Sequence, residues 1–539
     1  MSSSPQPALP FDDLPRLVRV QARERPAAPA LHESGRNMCY GELDAMVDRV
    51  AAALQRDGMR PQQHIAICAA ASIEYMVVFL GALRAGLAVA PLAPGSTPQQ
   101  LEAMATDAGA RLVFVDAAAA QGRIAWPAPS LLLDAPGQPG SLQQWLAAPG
   151  IVPEAVAIDP GWAFNLIYSS GTTGTPKGIV QPHAMRWAHI QRAGQSGYGP
   201  DTVSLIATPL YSNTTLVCVI PTLAYGGSVV LLPKFDAQRY LQLAQQHHAT
   251  HTMLVPVQYQ RLMAYPDFER YDLSAFRFKF CTSAPFHAEL KAQVLARWPG
   301  QLIEYYGMTE GGGTCVLAAH AFPDKLHTVG QPVEGHDIRL IDPQGIEVPR
   351  IPGGASVSSG EVVGRSAGMM TGYHGLPEKT AEAEWYDDQG RRFIRTGDIG
   401  RFDDDGFLIL LDRCKDMIIS GGFNVYPSDL EGVLRQHPGV ADAAVVGVPS
   451  AEWGETPVAF VVLKAGCNED GESLRRWANL RLGKSQRLAA VQLLAELPRS
   501  AIGKVLKREL RELRELRELR ERPSLDAAAT AQPLSRSAD

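Results

Sequence analysis

No Cys-x-x-Cys pair occurs among the seven cysteines, at 39, 68, 218, 281, 315, 414 and 467, and their number is odd. This speaks against both a zinc site and a disulfide framework, leaving buried thiols as the expectation. Long apolar runs are missing too. The most hydrophobic stretch, near Tyr75–Ala90, is broken by Arg84 and by Gly81 and Gly86, so no membrane span is expected. The opening MSSSPQPALPFDDL lacks a basic start and an apolar centre, which excludes a secretory signal and makes a cytoplasmic enzyme the expectation. With 50 Lys and Arg against 56 Asp and Glu, no surplus of positive charge is available for nucleic acid or an anionic membrane.

What is present is apolar periodicity. Residues 40–54 repeat apolar side chains at helical spacing, at Leu43, Met46, Val47, Val50, Ala51 and Leu54. Short strand-like runs then alternate with helical ones: 65–68, 72–83, 88–91, 98–108, 112–115, 203–207, 228–232, 237–246, 251–255 and 278–282. Such alternation implies parallel sheet covered on both faces, with ligands expected at the carboxyl ends of the strands. After about Gly330 helices thin out and strands separated by Gly, Pro and Asp turns imply a small β-barrel-like subdomain. The charged knot Asp412–Asp416 marks the domain boundary, and a small α+β unit follows. The expected fold class is therefore α/β: a large N-terminal domain of doubly wound sheets with its β subdomain over 1–411, then a small α+β domain over 412–510. From Arg508 to Arg520 the chain repeats Arg-Glu-Leu, and leucines at a period of three spiral around a helix of 3.6 residues per turn, so 511–539 reads as an exposed repeat followed by a disordered end.

The stretch YSSGTTGTPKGIV, Tyr168–Val180, is pinned by apolar runs on both sides. Glycines admit backbone N–H groups to an anion, Ser and Thr hydroxyls add donors, and Lys177 adds a charge. It is not the common nucleotide loop, since Lys177 follows Pro176 rather than preceding Ser or Thr.

Together with YYGMTEGG (305–312), RTGDIGRFDDDGF (395–407), DRCKDMIISGGFNVYPSDLE (412–431) and PRSAIGKVLKREL (498–510), the loop resembles the adenylate-forming superfamily, which includes acyl-CoA synthetases, adenylation domains and beetle luciferases. The resemblance runs from about Tyr40 to Leu510 and implies a two-step reaction in which a carboxylate attacks the α-phosphate of ATP, then a thiol, usually of coenzyme A, displaces AMP. Two anions must meet, so the site has to neutralise charge first. On the resemblance, Ser169, Ser170, Gly171, Thr172, Thr173, Gly174 and Lys177 wrap the β- and γ-phosphates. Glu310 holds magnesium and Thr309 lies near the α-phosphate. Tyr306 with Gly307 and the Ser283-Ala284-Pro285 turn line the adenine pocket, while Asp398 and Arg413 serve the ribose. Lys504 bridges carboxylate and phosphate in the first step. It must then leave, so the resemblance implies a mobile C-terminal domain hinged at Lys415, with Ser420, Gly421 and Gly422 lining the coenzyme A passage.

The resemblance also places the acyl pocket at Tyr211, Ser212 and Asn213, where Ser212 stands in place of the histidine many relatives carry. No aspartate lies there to pair an ammonium, which disfavours an amino acid substrate. Gly311 and Gly312, with Gly313, are read as leaving room for a bulky acyl group. The expected partners are a small carboxylic acid, ATP and coenzyme A, with magnesium. Loading of a separate carrier protein is the alternative, and a non-catalytic nucleotide-binding protein a third; the oligomeric state stays open, a homodimer among the options. His183 and His251 are assigned to the scaffold.

Overall fold

Helices that are apolar on every side have to be covered on every side, and two segments of this chain are of that kind. In the computed structural model, which describes residues 10–122, 124–169, 177–349, 359–420, 423–450, 453–483, 486–500 and 503–521, these are helices Ile73–Arg84 and Asn213–Ala224. Both are buried along nearly their whole length, and one apolar cluster joins them to residues of two large sheets, among them Leu31, Ile206, Ile65 and Val89. Ser72 caps the first helix by accepting from the Tyr75 N–H at 3.1 Å. The single cation of that helix, Arg84, is 9% exposed and is neutralised by Asp44 at 2.6 Å and Asp48 at 3.0 Å.

The chain divides into two units, Met1–Leu410 with Ala501–Gly503, and Leu411–Ser500 with Lys504–Asp539. The first unit holds three sheets. A nine-stranded sheet has a parallel centre formed by Pro29–Glu33, Ser228–Leu231, Val203–Ile206, His251–Leu254, Phe278–Cys281 and Gln301–Tyr306. Antiparallel strands close its edges. A seven-stranded sheet is parallel through Ala163–Ser169, Ala88–Leu92, His64–Cys68, Ala110–Val115 and Ser130–Leu132, and it is extended antiparallel by Lys177–Pro182 and Gly372–Tyr373. The alternation in the sequence thus yields parallel sheet at the centre and antiparallel pairs where hairpins join neighbours. A third, five-stranded sheet includes Asp337–Ile341, Gly360–Arg365, Glu384–Tyr386 and Arg392–Phe402.

In the second unit the long pair Val440–Ser450 and Gly454–Leu463 carries the sheet. Strand 440–450 is apolar on both faces: Ala443 and Val445 pack toward helices Pro427–Arg435 and Gly471–Asn479, while Ala444, Val446 and Val448 pack with Leu497 and Leu510. The Arg-Glu-Leu repeat is a helix, Lys507–Glu521, that runs straight through position 510. Its first turns are anchored: Leu510 is fully buried, Lys507 pairs with Glu431 at 2.9 Å and Arg511 with Asp416 at 3.0 Å. Leu513 is 39% exposed, as the drift of a three-residue repeat requires. Among the described residues no helix is long and apolar enough to cross a membrane.

His183 and His251 are both buried, and burial lowers the proton affinity of each to a pKa of about 4, with a bond from His251 to the Ser196 carbonyl opposing it. Between about 4 and the ordinary 6.5 the unfolded chain binds protons that the folded chain does not, so stability is full above that window and falls as pH falls through it. Glu304, raised to about 7 by burial, works in the opposite sense. Unfolding free energies from urea titrations at pH 7, 6 and 5 should therefore decline, by at most about 1.4 kcal/mol per pH unit for each histidine, and His183→Asn should shallow the slope; a flat profile would contradict the burial of these rings as neutral imidazoles.

Candidate active site

The glycine- and hydroxyl-rich stretch connects two antiparallel strands, Ala163–Ser169 and Lys177–Pro182, whose last pair is Ser169 opposite Lys177. Ser170, Gly171, Thr172, Thr173 and Gly174 lie outside the described residues, as do Gly421 and Gly422. Strand Lys177–Pro182 pairs with Gly372–Tyr373, and this brings the Tyr373 ring within 5.0 Å of Lys177 Nζ. The Tyr373 hydroxyl donates to Glu310 Oε1 at 2.9 Å. Burial and then the Glu310 charge raise the Tyr373 pKa, so the phenol stays a proton donor. Lys177 and Glu310, 133 positions apart in the chain by number, thus meet through a tyrosine that belongs to none of the sequence motifs. No local signal marks Tyr373; only its strand pairing does.

Glu310 and its neighbours are held by backbone. The Glu310 carbonyl accepts from Met370 N–H at 2.8 Å, and Gly311 bridges to Met369. Here one sequence expectation is corrected. A Cβ on Gly311 would stand 1.9 Å from the Gly368 carbonyl oxygen, on Gly312 2.8 Å from that of Gly364, and on Gly313 1.7 Å from Ile338 Cδ1. The missing side chains make room for backbone and for Ile338 of the third sheet, not for an acyl group. Gly311 and Gly312 also hold φ values of +80° and +85°, which disfavour any side chain.

Tyr306 ends strand Gln301–Tyr306, and its hydroxyl donates to Asp398 Oδ2 at 2.9 Å, so the expected adenine and ribose contacts are neighbours. Gly307 follows with an exposed backbone. Ser283 opens the Ser283-Ala284-Pro285 turn in left-handed conformation, φ +82°, and its Oγ lies 2.5 Å from Thr214 Oγ1. Ser212 is the N-cap of helix Asn213–Ala224 without a side-chain capping bond, and Tyr211, its proton affinity raised by burial, is half-buried beside it.

Behind this segment lies a polar cluster that the sequence does not announce. Arg186, 1% exposed, donates from Nη1 to Asn213 Oδ1 at 2.8 Å, from Nη2 and Nε to Asn165 Oδ1 at 3.0 and 3.3 Å, and from Nη2 to Gln181 Oε1. Gln181 in turn donates to the Thr309 carbonyl at 2.6 Å. Thr309 and Asn213 are therefore tied through one buried guanidinium, visible in sequence only as isolated polar residues in apolar runs.

In the second unit Arg413 sits at a turn, its carbonyl accepting from Asp416 N–H at 3.0 Å and Met417 N–H at 2.9 Å, with Lys415 exposed at its apex. Ser420 is buried, opposite Gly454 and Phe423. Lys504 closes a tight loop: its N–H donates to Ser500 Oγ at 3.2 Å and its carbonyl accepts from Ser500 N–H at 2.8 Å.

Two sequence profiles match the chain, AMP-binding enzyme over residues 18–374 and AMP-binding enzyme C-terminal domain over 429–504. The chain belongs to the AMP-binding enzyme family. Within this adenylate-forming superfamily it is 33% identical to a feruloyl-CoA synthase of Amycolatopsis sp, over 91% of this chain and 96% of that protein. It is 30% identical to the fatty acid–[acyl-carrier-protein] ligase ScoC of Streptomyces coeruleorubidus, over 92% and 95%. Among solved structures, ATP-bound MatB from Rhodopseudomonas palustris superposes with a TM-score of 0.83 at 30% identity, over 93% of this chain and 99% of that one.

Because Gly311 meets backbone, Gly311→Ala should cost about 3 kcal/mol of stability. Gly432, on helix Pro427–Arg435 with nothing within 4 Å of an added methyl, is the control: Gly432→Ala should be neutral or slightly stabilising. Thermal unfolding of the two variants should separate them, and equal midpoints would contradict the close approach.

Proposed function

We propose that this AMP-binding enzyme is an ATP-dependent acid–thiol ligase that joins a carboxylic acid to coenzyme A. A carboxylate oxygen forms a bond to the α-phosphorus as pyrophosphate leaves; the thiol sulfur then bonds to the acyl carbon as AMP leaves. The observation that carries the reading is the grouping of Lys177, Tyr373 and Glu310 beside the end of strand Ala163–Ser169. A cation, a phenol and a carboxylate placed so fit a polyphosphate and its counter-ion.

Magnesium suits this donor set. Tyr373 fixes one Glu310 oxygen, the other has no hydrogen-bond partner among the described residues, and no cluster of three His, Cys, Asp or Glu competes for a metal among them. A single carboxylate is what magnesium takes when phosphate oxygens and water complete its shell, where it would offset the charge between nucleophile and phosphate. The chain's own groups do the rest: the 169–177 segment grips the β- and γ-phosphates, Thr309 addresses the α-phosphate, and Tyr306 with Ser283-Ala284-Pro285 takes the base. Asp398 and Arg413 take the ribose. Lys504 neutralises the carboxylate–phosphate encounter and then withdraws about Lys415, with Ser420 on the thiol's path. Tyr211, Ser212 and Asn213 border the acyl group.

Relatives named as acting on coenzyme A and on an acyl carrier protein support two acceptors. Pyrophosphate release with a panel of acids separates them: turnover that requires coenzyme A supports the first, and turnover only with an added carrier protein supports the second. Lys504→Ala should slow adenylate formation by roughly 100-fold or more while leaving thiolation of supplied acyl-adenylate largely intact. Equal loss in both steps would reject the role given to Lys504.

A further inference from the structure

Helix His183–Ala193 carries Arg186, His189 and Arg192 at intervals of three, which places them within about 120° of arc on one side. None meets a carboxylate among the described residues. Arg186 is held by amide oxygens alone. Arg192 makes no hydrogen bond or ion pair among the described residues; its guanidinium carbon lies 5.7 Å from the Tyr305 ring centroid. His189 Nδ1 is buried without a hydrogen-bond partner among them. Facing them, His336 accepts the Thr314 N–H on Nδ1 at 2.9 Å, so its Nε2 carries the proton.

His189, Arg192, Tyr305 and His336 all lie deep among protein atoms and yet each keeps water-accessible surface. Their solvent-reachable faces are read as one crevice. The charges acting within it share one sign: burial first, then Arg192, Arg186 and His336, lower the proton affinity of His189, and burial and then Arg192 lower that of His336. Both imidazoles are therefore neutral N–H donors, while a guanidinium does not give up its charge. A guanidinium with neither carboxylate nor hydrogen bond, reached by water alone, keeps its full charge for a ligand.

The crevice adjoins the candidate site. Tyr305 and Tyr306 are consecutive on one strand and face opposite sides of the sheet, Tyr305 toward Phe280 and Tyr306 toward Cys315 and Asp398, so the link to the site runs through residue 368. A Cβ on Gly368, the residue packed on Gly311, would stand 3.7 Å from His189 Nε2. Arg186 holds Asn213 by its oxygen, which turns the amide N–H₂ of Asn213 away from the cluster as a further donor.

We propose that this crevice receives a second carboxylate of the substrate: the acid activated is a dicarboxylic acid whose far carboxylate pairs with Arg192 and takes N–H donors from His189 and His336. The proposal rests on the acid-activating reading above. A phenolic acid would supply an oxygen to the imidazoles but leave the guanidinium without a counter-charge.

The test is pyrophosphate release with linear diacids of three to eight carbons and with 4-carboxycinnamate, each beside its half methyl ester, and with 4-hydroxycinnamate. At least one diacid should exceed its half ester by about 100-fold in kcat/KM. Arg192→Gln should erase that preference through KM with little change in kcat, and Arg192→Lys should keep part of it; stabilisation by ATP reports that each variant is folded. Half esters or 4-hydroxycinnamate used as well as the diacids, or a loss in Arg192→Gln that is equal for every acid, overturns the proposal and leaves the ligase reading standing. If no acid is turned over, thermal shifts with the diacids alone decide: no stabilisation, or equal stabilisation of wild type and Arg192→Gln, overturns it. Stabilisation of wild type only, without ATP-driven chemistry, removes the ligase reading and keeps the dicarboxylate site.

Discussion

The arrangement depends on one close approach, backbone against backbone, between residues 311–313 and the chain at 364–370. With no side chain on Gly311, the Gly311–Met369 bridge forms and the Glu310 carbonyl reaches Met370 N–H. Two residues later the same segment, now Gly372–Tyr373, joins the edge of the seven-stranded sheet beside Ile179 and Val180. That short path fixes the spacing between a strand of one sheet, the loop after a strand of another, and the residue ahead of the third. Lys177, Tyr373 and Glu310 are brought together as a by-product of how three sheets are sutured.

Buried positive charge is managed in three ways in the first unit. Arg84 has two carboxylates. Lys279, fully buried with its pKa lowered by burial to about 7, is met by the carbonyls of Trp298, Pro299 and Gly300 at 2.9, 2.5 and 2.6 Å. Arg186 has only side-chain amides. Carboxylates cancel charge, whereas carbonyls and amides solvate it without cancelling it, so the field of Arg186 reaches its surroundings. Helix Asn213–Ala224 begins in that field with an N-terminus that already carries a partial positive charge.

Much of the fold was legible because local pattern and tertiary demand agreed. Helix Ala237–Gln246 has the bounds that its periodicity gives, and the strands His64–Cys68, Val203–Ile206 and Phe278–Cys281 lie within a residue of the short apolar runs between turns. The sheet edges were not legible, since pairing direction is set by hairpins rather than by composition. For the site, Tyr306 and Asp398 were readable as motif residues and prove to be hydrogen-bonded. Tyr373 and Arg186 were not, because their meaning lies in partners far along the chain. The glycine triplet was misread for the same reason: a sequence shows that side chains are missing, not what occupies their place.

Strand Val440–Ser450 has a consequence of its own. Where only one face of a strand is buried, slipping by one residue exposes the apolar set and is forbidden. Here both faces are apolar, so hydrophobicity alone is indifferent to such a slip. Alignment falls to polar contacts: Glu431 accepts the Val445 N–H at 2.9 Å, Arg435 donates to the Ala443 carbonyl at 3.2 Å, and Asp442 pairs with Arg499. Glu431 also holds Lys507, so the residue that indexes this edge strand is the one that moors the final helix.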